Sequence, residues 1–253
     1  MMRLLLIGMG TGDPDHLTFQ AVKALNSADL LLIPAKGEEK SELAELRRGL
    51  CAAHLRNPAT RIVEFAMPRR DVAREDYLEG VEDWHDAIAE AWSAALAAHP
   101  EAERAALLVW GDPSLYDSSL RVAARLAARR PLEVEAVPGL TSMQMLTAAH
   151  GIPLNGLGAS VQITTGRRLR DEGWPEGVET LVVMLDGGCA FQNLAPEGID
   201  IWWGARLGMK DQLLDKGPLA EAGPRILKAR AEARARHGWI MDLYLMRKTA
   251  QRA

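Results

Sequence analysis

Over its first half the chain repeats one pattern: a short apolar run, a break carrying glycine or proline, then a stretch with helical periodicity. The apolar runs fall at 3–7, 30–33, 61–65, 105–110 and 132–137, and the helical stretches near 17–28, 38–55, 71–98, 115–129 and 139–150. In the third of these, Tyr77, Val81, Trp84, Ile88 and Trp92 recur at steps of three or four, which places them on one helical face. Strands that alternate with helices through short links form right-handed crossovers and therefore a parallel sheet. The pattern predicts a five-stranded parallel sheet covered by helices.

The regularity ends near Gly151. Runs at 159–164, 180–185, 199–203 and 239–245 still read as strands, but their connections are uneven and rich in glycine, and 151–158 reads as a hinge. A second sheet of mixed direction is expected. The fold class is α/β in two domains, 1–140 and 141–253, with a ligand cleft between them.

Charge and cysteine usage remove several function classes. The formal net charge is -4 and the isoelectric point near 5.9, whereas proteins that grip nucleic acid carry a basic excess. The cluster Arg225, Lys228, Arg230, Arg234 and Arg236 is read as a solvated helix face, so no nucleic-acid partner is expected. Cys51 and Cys189 are far apart and form no C-x-x-C, so they read as small buried hydrophobes and no metal site is expected. No apolar run approaches the roughly 20 residues of a membrane span, and no apolar leader is apparent; a cytoplasmic location and no membrane partner are expected.

Ligands of open α/β sheets bind at the carboxyl ends of strands. Several such ends here carry distinctive loops: Gly8-Met9-Gly10-Thr11-Gly12-Asp13-Pro14, Trp110-Gly111-Asp112-Pro113, Val137-Pro138-Gly139-Leu140-Thr141-Ser142, Thr164-Thr165-Gly166-Arg167 and Thr180-Leu181-Val182-Val183-Met184-Leu185. The first is not a dinucleotide fingerprint. Asp13 stands where the third glycine belongs, and the run ending in Ile33-Pro34-Ala35-Lys36 lacks the acid that would hold a ribose. Nor does a Gly-Lys-Ser/Thr follow.

In this order the five loops resemble the tetrapyrrole methylase family of S-adenosylmethionine-dependent methyltransferases, and the resemblance runs through nearly the whole chain. Thr11 replaces the proline usual in the first loop, and Leu185 stands where many members have methionine. The segments Ile33-Pro34-Ala35-Lys36-Gly37-Glu38-Glu39-Lys40, Asp83-Trp84-His85-Asp86-Ala87-Ile88, Ile201-Trp202-Trp203-Gly204-Ala205 and Gly238-Trp239-Ile240-Met241-Asp242 are similar to one branch of that family. In that branch C1 of the macrocycle of precorrin-5 is methylated and the extruded carbon unit leaves as acetate, in aerobic cobalamin synthesis. Other corrinoid precursors, RNA or a protein residue are the alternatives within the superfamily.

The resemblance implies S-adenosyl-L-methionine as methyl donor, S-adenosyl-L-homocysteine as product, a small corrinoid precursor as substrate, and a homodimer. It implies cofactor contacts from Thr11, Trp110, Gly111, Asp112, Leu115, Thr141, Ser142, Leu185, Ala205 and Met241. A sulfonium carries its own activated methyl, so the chain needs to position groups and exclude water rather than supply a nucleophile or metal. A macrocycle bearing acetate and propionate arms calls for cations, and Arg167, Arg168 and Lys36 are the candidates. Release of acetate calls for activated water. Asp13, His16, Tyr116 and Asp186, polar residues at predicted strand ends, are the candidate bases, and nothing in the sequence selects among them.

Overall fold

A computed structural model describes residues 1–35, 41–71 and 76–249. The chain divides into two compact units, Met1–Thr141 and Ser142–Ala253.

The first unit carries strands β1 (Met2–Gly8), β2 (Leu30–Ala35), β3 (Arg61–Ala66), β4 (Arg104–Val109) and β5 (Leu132–Val137). All pair in parallel, in the order β3-β2-β4-β1-β5, as the alternation predicts. Between them run helices α1 (Phe19–Ser27), α2 (Ser41–His54), α3 (Tyr77–Ala97) and α4 (Ser119–Arg129). Successive strand residues face opposite sides, and both sides are buried. Leu4, Leu6, Leu30, Leu32 and Leu107 meet Ile88, Trp92 and Leu96 of α3 and Val122 and Leu126 of α4. Leu5, Ile7, Leu31, Ile33 and Leu108 meet Ala21 and Leu25 of α1 and Leu50 and Cys51 of α2.

This division marks the edge where open parallel sheets commonly take ligands. The neighbours β1 and β4 send their following helices to opposite faces, α1 to one and α4 to the other. The carboxyl edge at β1 and β4 is thus the switch point of an open parallel sheet.

The second unit carries β6 (Val161–Thr165), β7 (Thr180–Met184), β8 (Ile199–Ala205), β9 (Leu213–Pro218) and β10 (Asp242–Lys248) in the order β6-β7-β10-β8-β9. Only β6 and β7 are parallel, so the sheet is mixed as expected. Helices α6 (Gly166–Glu172) and α7 (Leu219–His237) bury Leu169, Leu219, Ala222 and Ile226 on one face against Leu181, Val183, Ile201 and Tyr244. On the other face Leu146 of α5 (Ser142–His150) meets Val182, Leu243 and Leu245.

Two elements lie outside the sequence reading. Edge strand β9 reads Leu-Leu-Asp-Lys-Gly-Pro, a composition poor in strand formers yet suited to an edge, where charge and proline block further pairing. Helix α6 spans seven residues, too short to show a period; Thr165 caps its start and Gly173, at φ +74, ends it. The run read as strand from 239 begins pairing at Asp242, because Gly238 at φ +71 terminates α7 just before.

Three loops of the first unit meet with no space between backbones. A methyl group on Gly139 would lie 2.2 Å from the Gly111 carbonyl oxygen and 2.7 Å from the Gly8 Cα. Gly139→Ala is therefore expected to cost at least about 2 kcal/mol, the upper range of overpacking, since neither contact is a movable side chain. Urea unfolding checks this; an unchanged midpoint would show that the loops part freely.

Candidate active site

At the switch point the loops after β1 and β4 are joined by a small antiparallel bridge. Gly111 N donates to Gly10 O at 2.8 Å and Gly10 N to Gly111 O at 3.2 Å, while Met9 N extends the ladder to Val109 O. Gly10 and Gly111 hold φ of +68 and +64, values that glycine adopts without Cβ strain. Asp13 then starts a 3-10 turn at Pro14–His16, its side chain accepting from Asp15 N at 2.9 Å. Thr11 is buried, and its Oγ1 lies 3.1 Å from His16 Nδ1. Trp110 sits beneath Gly12, with Cη2 3.3 Å from where a Cβ would stand.

Asp112 ties two loops together. Its Oδ2 accepts from Gly139 N at 2.9 Å, and its Oδ1 from Ser114 N at 2.8 Å and from the Ser114 hydroxyl. Burial alone would raise its pKa; the hydrogen bonds from Ser114 and Gly139 outweigh that and hold the carboxyl below the ordinary range. Both oxygens thus serve the chain itself. Leu115 N closes the turn onto Asp112 O at 3.3 Å, and Tyr116 follows at φ +49 with 43% of its surface exposed. Thr141 ends the first unit and Ser142 opens α5.

In the second unit the carboxyl ends of β6, β7 and β8 and the start of β10 share one edge, since β10 runs antiparallel to β7 and β8. Leu185, Ala205 and Met241 gather there: Ala205 is fully buried, Arg206 N donates to Met241 O at 2.9 Å, and Leu185 is 64% exposed at φ +53. A positive φ is strained for leucine, and a buried network holds it. Asp186 Oδ2 accepts from Tyr244 Oη at 2.5 Å and Ala190 N at 2.6 Å, and its Oδ1 from Gly188 N at 3.0 Å. Arg230 donates to Asp186 O at 2.9 Å and pairs with Asp242 at 2.7 Å, while Trp203 Nε1 donates to Asp242 at 3.0 Å. Burial and the Asp186 carboxylate push the Tyr244 phenol well up, so it stays a donor. Gly166 is required here, because a Cβ would fall 2.2 Å from Asp186 Cγ.

Of the four candidate bases, Asp13 and Asp186 hold backbone turns, His16 is steadied by Thr11, and Tyr116 projects from the Gly-Asp-Pro loop. Arg167 and Arg168 lie exposed on α6, with Arg168 paired to Glu172 at 2.9 Å. Lys36 lies outside the described residues. Cys51 and Cys189 are buried, and burial raises both thiols to about 11, so neither is a nucleophile at neutral pH. Sequence reasoning missed Arg230, Asp242 and Tyr244 as holders of the Leu185 turn. It also missed Arg47, although Arg47 falls among Leu43, Leu46 and Leu50 on the apolar face of α2.

The model of the Tetrapyrrole (Corrin/Porphyrin) Methylases matches residues 3–223. The chain belongs to the tetrapyrrole methylase family. It is 49% identical over 253 residues to a precorrin-6A synthase [deacetylating] of Sinorhizobium sp, covering 99% of this chain and 97% of that protein. It is 34% identical over 195 residues to a precorrin-2 C(20)-methyltransferase of Sinorhizobium sp, covering 73% and 74%. A solved structure of a cobalamin synthesis related protein from Corynebacterium diphtheriae superimposes with a TM-score of 0.83 at 38% identity, over 98% of this chain and 99% of that one. Uroporphyrin-III C-methyltransferase from Thermus thermophilus, complexed with S-adenosylhomocysteine, shares the fold: its TM-score is 0.59 at 21% identity, over 96% of each chain. The protein is a methyltransferase of this family.

Two outcomes follow from this geometry. Asp242→Ala leaves Arg230 buried without its carboxylate and is expected to cost about 3–5 kcal/mol, the usual loss when one partner of a buried pair is removed; denaturant unfolding measures it, and a cost below about 1 kcal/mol would mean water reaches the pair. The Asp112 ties stabilise above the carboxyl's unfolded pKa and are lost as pH falls through its lower folded value. Acid unfolding of Asp112→Asn should therefore be less steep than wild type below about pH 4, and identical slopes would remove Asp112 as a loop tie.

Proposed function

We propose that the protein transfers a methyl group from S-adenosyl-L-methionine to C1 of precorrin-5 and releases the extruded carbon unit as acetate, giving precorrin-6A in aerobic cobalamin biosynthesis. The observation that carries the reading is the 49% identity along 99% of the chain to a precorrin-6A synthase [deacetylating]. A cytoplasmic homodimer is proposed with it, on the family resemblance alone.

The glycine-rich edge of the first unit suits such a cofactor. Gly111 leaves nearly open space where a side chain would stand, Gly10 and Gly139 let the chain close tightly behind it, and Trp110 and Leu115 add apolar surface. We assign Thr11, Trp110, Gly111, Leu115, Thr141, Ser142, Leu185, Ala205 and Met241 to cofactor contact. Asp112 acts by fixing the Gly139 loop. The methyl transfer needs placement and dryness, and a sulfonium supplies the rest. Arg167 and Arg168 are proposed to meet substrate carboxylates.

Acetate release adds water to the acetyl carbonyl and breaks the bond from that carbon to the macrocycle, whose conjugated system takes the electron pair, while the proton of the added water must be taken up. We assign this to His16, whose ring is steadied through Nδ1 by Thr11, leaving Nε2 to receive the proton. Asp13 and Asp186 are committed to backbone N–H groups.

Calorimetry of the whole protein against S-adenosylhomocysteine and NAD is expected to show saturable binding of the first only. Binding of NAD alone would overturn the reading. With precorrin-5 as substrate, His16→Gln is expected to slow acetate release by about 10²–10⁴-fold and to accumulate a methylated, still acetylated corrinoid by mass. Methylation and acetate release remaining in step would reject His16 as the base.

A further inference from the structure

The carboxyl edge of the first sheet holds a cavity of about 100 Å³ where β2 and β4 part. Its origin lies in the register. β2 and β4 pair from Leu30↔Ala105 to Leu32↔Leu107 and then part, although β2 continues to Ala35 and β4 to Val109. The wedge that opens is walled by Pro34, Leu43, Phe65, Met67 and Leu107.

Besides Ser119, two donors line this mostly apolar space, from opposite faces of the sheet. Arg47 comes from α2, with Nε donating to Leu108 O at 3.0 Å and one terminal nitrogen to Leu43 O at 3.2 Å. Among the described residues no carboxylate pairs with it, and burial lowers its pKa to about 10 with only partial relief from Asp117. It is still a cation at neutral pH. Trp92 comes from α3; it is 3% exposed, and among the described residues its indole Nε1 has no hydrogen-bond partner. A guanidinium with carbonyl partners but no counter-charge, and an orphan indole N–H, each cost free energy in an apolar setting. An anion with two oxygens and a short apolar tail would satisfy both, and a planar fork such as arginine's suits a carboxylate. A cavity of this size takes a few waters or one small acid.

We propose that this cavity binds a two-carbon carboxylate, with its oxygens on Arg47 and Trp92 Nε1 and its carbon tail against Phe65, Met67 and Leu107. The group has two sources: a carboxymethyl arm of a bound macrocycle, or free acetate. Naming acetate as a product rests on the function proposed above; the carboxylate chemistry of the cavity does not.

The test uses the full chain labelled with ¹⁵N at tryptophan, reading the indole N–H resonance of Trp92, which is identified by its loss in Trp92→Phe. Sodium acetate is titrated against sodium chloride at constant ionic strength. The expected result is a saturable downfield shift in the millimolar range, the affinity open to so small a ligand. Arg47→Gln should weaken it at least about tenfold, Arg47→Lys should weaken it less, and neutral acetamide should leave the resonance in place. A response that fails to saturate, or that acetamide or chloride reproduces, overturns the proposal whatever the variants do. The source is separated by repeating the titration with the carboxylate-bearing corrinoid bound. Loss of the acetate shift identifies the arm as occupant, and an unchanged shift identifies free acetate. Because the signal is read without turnover, failure here leaves methyl transfer untouched, and failure of methyl transfer leaves this signal to be read.

Discussion

Three glycines, Gly8, Gly111 and Gly139, bring three loops into backbone contact at one edge of the parallel sheet. Everything else at that edge depends on this contact. With it, Gly10 and Gly111 form their two-bond bridge, Asp112 reaches Gly139, and the loops after β1, β4 and β5 become one body. A side chain at Gly8 or Gly139 would separate them, because what it would meet is backbone. Rigid loops at a switch point suit a ligand whose chemistry is already activated, since the remaining task is to hold it in one geometry.

The carboxylates at the strand ends follow the same logic. Asp13, Asp112 and Asp186 each turn their oxygens onto backbone N–H groups within two to four residues or on a neighbouring loop. A buried or half-buried loop has donors that water does not reach, and an ionised side chain is the strongest acceptor the chain can supply. These carboxylates therefore order the loops that carry them. Arg47 is the counter-case: a half-buried cation that meets two carbonyl oxygens and, among the described residues, no counter-charge.

The first sheet was readable from sequence because its physics is local. Leu4 to Ile7 and Leu30 to Ile33 are apolar on both faces, as strands covered by helices must be, and α3 shows its period through Trp84, Ile88 and Trp92. The site was readable only as a set of loops. Asp186 looks like a free carboxylate in the sequence because its main partner, Tyr244, lies 58 positions away. The need for Gly166 is likewise invisible until Asp186 packs against it. Strand β9 and helix α6 were missed for a different reason: each is decided by its neighbours, β9 by pairing with β8 and α6 by the Thr165 and Gly173 ends. Arg47 did leave a signal, a charge at an apolar helical position, but one sequence does not say whether such a residue snorkels to water or stays inside.

The second unit shows how such ordering extends to a strained residue. Leu185 keeps an exposed side chain at φ +53, a conformation leucine adopts only under constraint. The constraint is the backbone that follows it. Arg230 holds the carbonyl oxygens of Asp186 and Gly187, and Asp242, itself bonded by Trp203, holds Arg230. Tyr244 fixes the Asp186 side chain from β10. The four groups come from β8, α7 and β10, so the turn cannot relax unless three elements move together. A buried ion pair is seldom worth its desolvation as a source of stability alone. Here it defines one conformation for a turn that would otherwise flatten, and that conformation presents an apolar side chain at the edge where Ala205 and Met241 also lie.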